Sequence, residues 1–232
     1  MWKNFFRVAL RNIRKSRTFT IINIAGMAIS MASAILIILF IVSELSFDRF
    51  HENRERIHRL YIDINIGEQT YKGAWTSMVM APTFTWEIPE IENFTRFDVW
   101  NQQLIWFEDK KYIEDNFMFA DSSVFDIFSV NFVRGVPETA LTKPRSIVIT
   151  REKANQYFGD RDPLGLPLTI NSDSNIYIVT GVIESFPENS HFYTDFIASM
   201  VTLDDSNWNI WFQNSIISYV LLQDDSDFKM VE

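Results

Sequence analysis

The stretch TFTIINIAGMAISMASAILIILFIVS, residues 18–43, decides the architecture of this chain. It contains no Asp, Glu, Lys or Arg. At about 1.5 Å per helical residue it would be roughly 39 Å long, more than the roughly 30 Å hydrocarbon core of a bilayer. A signal peptide has an apolar region of only about 7–15 residues, closed by a small-residue cleavage site. Here the run is longer, and a large residue, Phe47, follows closely behind it. A buried helix of a soluble protein seldom runs so far without a charge. The stretch therefore reads as a retained transmembrane helix. Gly26, Ser30 and Ala34 recur at every fourth position, which is one helical face, and small residues let a second helix approach closely. Small residues are also common in membrane spans of every kind, and the two readings stand level.

Charge divides the chain at the same place. Residues 1–43 hold six cations (Lys3, Arg7, Arg11, Arg14, Lys15 and Arg17) and no acid. All 30 acids follow, against the remaining 15 cations, so a head of +6 precedes a body of −15. The positive-inside rule puts the N-terminus in the cytoplasm and the acidic body outside, in the periplasm if the cell has two membranes. A net charge of −9 argues against nucleic acid as a partner. The head has its own pattern. Trp2, Phe5, Phe6, Ala9, Leu10 and Ile13 share one face of a helix, and Lys3, Arg7, Arg11 and Arg14 occupy another. That is an amphipathic interfacial helix, apolar toward lipid and basic toward phosphates. Trp2, Phe5, Phe6, Arg7, Arg11 and Arg14 are its candidate contacts with membrane or a partner. The plainer reading is a topology signal alone.

The boundaries expected are an interfacial helix over 1–17, a span over 18–43, a stalk over 44–60 and an outer domain, whole or in part, over 61–232. The span should continue a few turns into water before a strand near 60–66. Gly67 and Glu68 mark a hairpin turn, and Pro82 opens a short helix that Pro89 ends. Strands are expected over 94–100, 103–107, 111–113, 146–149, 168–170, 176–183, 196–200 and 216–222. Residues 121–128 read as a capped helical turn. Thr150 caps a helix that stops at Gly159. The sum is an α+β domain with mostly antiparallel pairing. Most of its tryptophans (75, 86, 100, 106, 208 and 211) should be core.

Chemistry is hard to find in this list. No Cys is present, so no disulfide or thiolate site exists. The glycines form neither a phosphate loop nor a dinucleotide turn, and there is no nucleophile elbow. His51, Glu55 and His58 stand at helical spacing but lack a zincin pattern. Residues 171–175, NSDSN, begin like a calcium loop and fail at its sixth and twelfth positions, Ile176 and Val182. Catalytic, cofactor and metal sites are all expected to be absent.

KPRSIVITREKANQYFGDRDPLGLPLTI (143–170) and YIVTGVIESFPENSHFYTDFIASM (177–200) resemble the periplasmic core domain of MacB/FtsX-like ABC transporter permeases. FFRVALRNIRKSRTFTIINIAGMAISMASAILI (5–37) is similar to the start of the same family's first span, and FDRFHENRERIHRLY and DSSVFDIFSVNFVRG to segments between. The block ITREKANQYFGDRDPLG is the most specific part. The resemblance implies one N-terminal transmembrane helix followed by a mixed, mostly antiparallel α+β extracytoplasmic domain. It also implies a non-catalytic permease subunit that transmits ATP-driven motion from a cytoplasmic ABC ATPase, with a second permease copy as its pair. Such machines act on lipoproteins, peptides, lipids or cell-wall hydrolases. Family permeases carry at least three further spans after the outer domain, so the chain is expected to be an N-terminal piece of a longer permease or a truncated relative. The competing readings are a membrane-anchored sensor or ligand-binding module, and a membrane-tethered enzyme.

Overall fold

The structure is a computed structural model that describes residues 2–67, 69–203, 210–211 and 213–224. The acidic cluster at 204–205, Trp208 and the residues after Asp224 lie outside the described residues. The chain divides into two compact units, Met1–Phe47 and Asp48–Glu232.

The first unit is two helices, α1 (Trp2–Lys15) and α2 (Arg17–Ser46), separated at Ser16, whose ψ of 60° leaves the helical region. α2 is 30 residues long with a mean hydropathy of 2.6 over its most apolar window, long and apolar enough to cross a membrane. None of its residues is buried, and a helix apolar on every side needs a surrounding apolar medium. The helix does not continue for turns beyond the apolar run. It stops at Ser46, where Ser46 Oγ donates to Ser43 O at 2.7 Å and Phe47 turns extended with ψ 135°.

The second unit begins with β1 (Ile57–Arg59), β2 (Ile62–Ile66), β3 (Gln69–Gly73), α3 (Met80–Glu87) and β4 (Ile91–Trp100). It continues through β5 (Gln103–Phe107), β6 (Lys110–Glu114), β7 (Phe117–Ala120), α4 (Val124–Ile127) and β8 (Phe132–Gly135). α5 (Pro137–Ala140), β9 (Ser146–Thr150), α6 (Arg151–Phe158) and β10 (Pro167–Ile170) follow, then β11 (Ile176–Ile183), β12 (Phe196–Ser199) and β13 (Ile217–Leu222). One sheet runs β1-β13-β4-β7-β12-β9-β11-β10-β5-β6, and β8 pairs with the end of β11 that β10 leaves free. β7 with β12 and β9 with β11 are parallel; the remaining pairs are antiparallel. β2 and β3 form a separate hairpin turning at Gly67.

The central strands are buried on both faces, which explains why β7 and β12 read as continuous apolar runs rather than alternating ones. Phe117, Phe119, Ile147, Ile149, Phe196 and Ala198 join one core, which α6 covers with Ala154, Tyr157 and Phe158. Their neighbours Met118, Ala120, Val148 and Ile197 face the opposite core, covered by Val124, Ile127, Phe128 and Ala140. The aromatic core is built from Phe and Tyr. The tryptophans expected inside are mostly outside: Trp75, Trp86, Trp100 and Trp211 are exposed, Trp86 by 90%. α3 turns Ala81 and Phe84 inward, which leaves Trp86 on its solvent side.

Candidate functional site

Where the chain leaves α2, the expected stalk is instead a bonded strap. Asp48 takes a left-handed φ of 57°, and its N–H donates to Asn189 O at 2.9 Å. Asp48 Oδ1 accepts the His191 N–H at 3.0 Å and lies 2.8 Å from His191 Nδ1. Glu52 N donates to Ser129 Oγ, and Asn53 Nδ2 donates to the carbonyls of Asp126 and Ile127 at the end of α4. Arg56 Nε donates to Leu222 O at 2.7 Å, and its guanidinium meets Glu92 and Asp224. β1 then pairs with β13, and Leu60 N closes on Ser218 O. The strap is tied to four remote parts of the body: the loop before β12, the α4 turn, β4 and β13.

His51 sits at the middle of the strap, only 3% exposed, among Phe50, Phe128 and Phe192. Its Nδ1 accepts the Ser129 N–H at 3.1 Å, so the neutral ring carries its proton on Nε2. Burial pushes His51 below the usual histidine range, with His191 adding and Asp48 opposing. His191 Nε2 lies 2.7 Å from the Tyr219 hydroxyl, and burial is the main reason that hydroxyl is pushed up to about 12. His51, Glu55 and His58 do not share a helix: His51 lies between two turns, Glu55 is in the second of them, and His58 is in β1.

The most specific sequence block turns out to build the scaffold. Thr150 Oγ1 accepts Lys153 N–H at the start of α6, and Gly159 ends it at φ 63°. Lys153 reaches Glu114 on β6, and Tyr157 donates its hydroxyl to the same carboxylate at 2.9 Å. Burial first, then the Glu114 charge, pushes the Tyr157 hydroxyl far upward. Asp162 pairs with Arg134, and Gly165, at φ 79°, donates its N–H to Val179 O. Elsewhere in the sheet, Arg96 on β4 grips Asp121 through two nitrogens, 4% and 15% exposed.

On the first unit, Trp2, Phe6, Arg7 and Arg11 are exposed along α1, while the side chains of Phe5 and Arg14 lie outside those described. Gly26, Ser30 and Ala34 are exposed on α2, and Ser30 Oγ donates to Gly26 O at 2.8 Å.

The MacB-like periplasmic core domain family matches residues 20–232, and the chain belongs to that family. A domain assigned to a permease protein of Porphyromonas gingivalis superposes with a TM-score of 0.69 at 24% identity, covering 79% of each chain. The periplasmic region of MacB from Actinobacillus actinomycetemcomitans superposes with a TM-score of 0.56 at 13% identity, covering 76% of this chain and 78% of that one. Both likenesses are of fold. A search of curated proteins found no match. The chain thus carries the MacB-like periplasmic core of ABC-type permeases, a class whose outer domains are generally non-catalytic.

Proposed function

We propose that this chain is the permease subunit, or the N-terminal part of one, that carries ATP-driven motion from a cytoplasmic ABC ATPase to its own outer domain. The observation that carries the reading is the bonded strap. Asp48, Glu52, Asn53 and Arg56 hold residues 48–60 to four separate parts of the body. A displacement of α2 would therefore reach β13, the α4 turn and the loop before β12 without being absorbed by slack chain.

In this reading residues 1–17 lie at the cytoplasmic face, 18–43 cross the membrane, 44–60 connect and 61–232 work outside. Trp2, Phe5 and Phe6 rest in lipid, and Arg7, Arg11 and Arg14 meet phosphates or the ATPase. Gly26, Ser30 and Ala34 meet a helix of a second permease copy or half.

The test is reconstitution of the full chain in bilayers with its candidate ATPase. ATP hydrolysis should change the distance between spin labels placed at the exposed positions 86 and 113, and replacing Arg7, Arg11 and Arg14 by Glu should weaken the ATPase's retention. Unchanged distances with an actively hydrolysing, bound ATPase would overturn the coupling role.

A further inference from the structure

The strap lines one side of an open surface cavity of about 350 Å³ whose lining is rich in nitrogen donors. Two of them are buried and have no hydrogen-bond partner among the described residues: His51 Nε2 and Arg59 Nε. A buried donor without an acceptor is costly, and native structures rarely leave one without a reason. Here two occur in residues that line the same cavity. His51 must present N–H rather than a lone pair at Nε2, because Nδ1 is occupied by Ser129. Its nearest carboxylate oxygen, Asp48 Oδ1, is 4.0 Å away, already accepts the His191 backbone N–H and lies 2.8 Å from His191 Nδ1.

The charge balance points the same way. Arg54 and Arg59 line the cavity against a single acid, Asp48, which is engaged with His191. Arg59 forms no ion pair among the described residues; its Nη2 reaches only Ala74 O at 3.4 Å, and its guanidinium lies over the Tyr61 ring. Arg54 meets Glu55 only at 3.6 Å, where that carboxylate is 85% exposed. Tyr219 adds a hydroxyl, and Ile57 and Phe128 add apolar surface. Guanidinium and imidazole N–H groups converging on a partly apolar cavity are the recognition chemistry of a small oxyanion.

We infer that this cavity binds a phosphate group, free or carried on a lipid headgroup, through His51 Nε2, Arg59 and Arg54. A phosphate oxygen there would offer the acceptor that these donors lack.

Ring-nitrogen magnetic resonance can test this on the full chain in phosphate-free maltoside micelles, since the chain has only three histidines. Inorganic phosphate is titrated in one arm and short-chain phosphatidylglycerol in the other. The His51 signal should move saturably in at least one arm while His58, outside this cavity, stays still. Saturation with phosphatidylglycerol alone assigns the lipid as the source; saturation with both shows that the phosphate group suffices. Arg59→Met should weaken binding about tenfold, the effect of losing a hydrogen bond to a charged group, and Arg54→Gln provides a second reading if the first variant folds poorly. A still His51 signal in both arms, or equal affinity in wild type and both variants, would overturn the assignment.

Discussion

Lys153 Nζ lies 2.5 Å from Glu114 Oε2, with the two side chains 14% and 7% exposed. The pair joins the first turn of α6 to edge strand β6, and the Tyr157 hydroxyl shares the carboxylate. Breaking a buried pair from one side leaves a charge without compensation, so Lys153→Met should cost about 3–5 kcal/mol. Adding Glu114→Gln removes the stranded charge, and the double variant should cost less than the sum of the singles. Urea unfolding of the four species measures this. Strict additivity would mean that the two groups do not stabilise each other.

Tyr219 supplies a pH prediction. Its hydroxyl is pushed from 10.0 to about 12 by burial, against a lowering effect of Arg59 and with smaller raising effects of Asp48 and Tyr61. The folded protein holds this proton where the unfolded chain loses it. The contribution is complete below pH 10 and disappears as pH rises through about 12. Tyr219→Phe should flatten the fall of stability over that window, read by thermal melts at closely spaced pH. The same steep fall in the variant would assign it to other groups, Tyr193 among them, whose hydroxyl is also pushed up to about 12 by burial and Asp195.

Gly135 ends β8 at φ 89°, and a Cβ there would stand 2.5 Å from Thr180 O and 2.9 Å from the Cα of Gly181. Both obstacles are backbone and cannot swing aside. Gly135→Ala therefore combines a disfavoured dihedral with overpacking and should lower stability by about 3 kcal/mol. Gly159→Ala meets nothing within 4 Å, so it carries the dihedral penalty without the clash and should cost less. Equal losses on chemical denaturation would show that space at Gly135 is not the constraint.

Local signals along the sequence explain which elements could be read in advance. Strands β5 and β11 and the helix from Arg151 carry a full apolar pattern or a Thr cap and Gly stop, and they lie where the pattern put them. β1, β7 and β8, of three or four residues each, were not expected as strands. The strap had no local signal, since its partners Ser129, Asn189, His191 and Leu222 are remote in sequence. The burial of His51 is equally a tertiary effect. One faint trace existed: a left-handed turn at Asp48, a residue type that tolerates φ > 0, just past the apolar run.

The strap's anchoring can be loosened one bond at a time. Asn53 Nδ2 holds the Asp126 and Ile127 carbonyls at 3.1 and 3.3 Å. Asn53→Ala should speed hydrogen exchange at the neighbouring amides of Glu52 and Arg54, while the amides of β9, in the middle of the sheet, keep their protection. In bilayers with an active ATPase the same variant should reduce the motion delivered to the outer domain. Faster exchange throughout the sheet would mean that Asn53 supports the whole fold rather than the strap.

The helix-packing proposal turns on Gly26. A Cβ at that position meets nothing within 4 Å, so a larger side chain does not disturb this chain's own contacts. Ser30 already spends its hydroxyl on Gly26 O within the helix, so the stripe has close approach to offer a partner more than a polar bond. Gly26→Leu should therefore leave the melting of the outer domain unchanged and weaken pairing of full chains in bilayers, measured by energy transfer between labelled copies. Met27→Leu changes a neighbouring position off the stripe and should leave pairing intact. If both substitutions leave pairing untouched, the spacing of Gly26, Ser30 and Ala34 reflects the composition of a membrane helix and not a contact; if both weaken it, the contact follows another face.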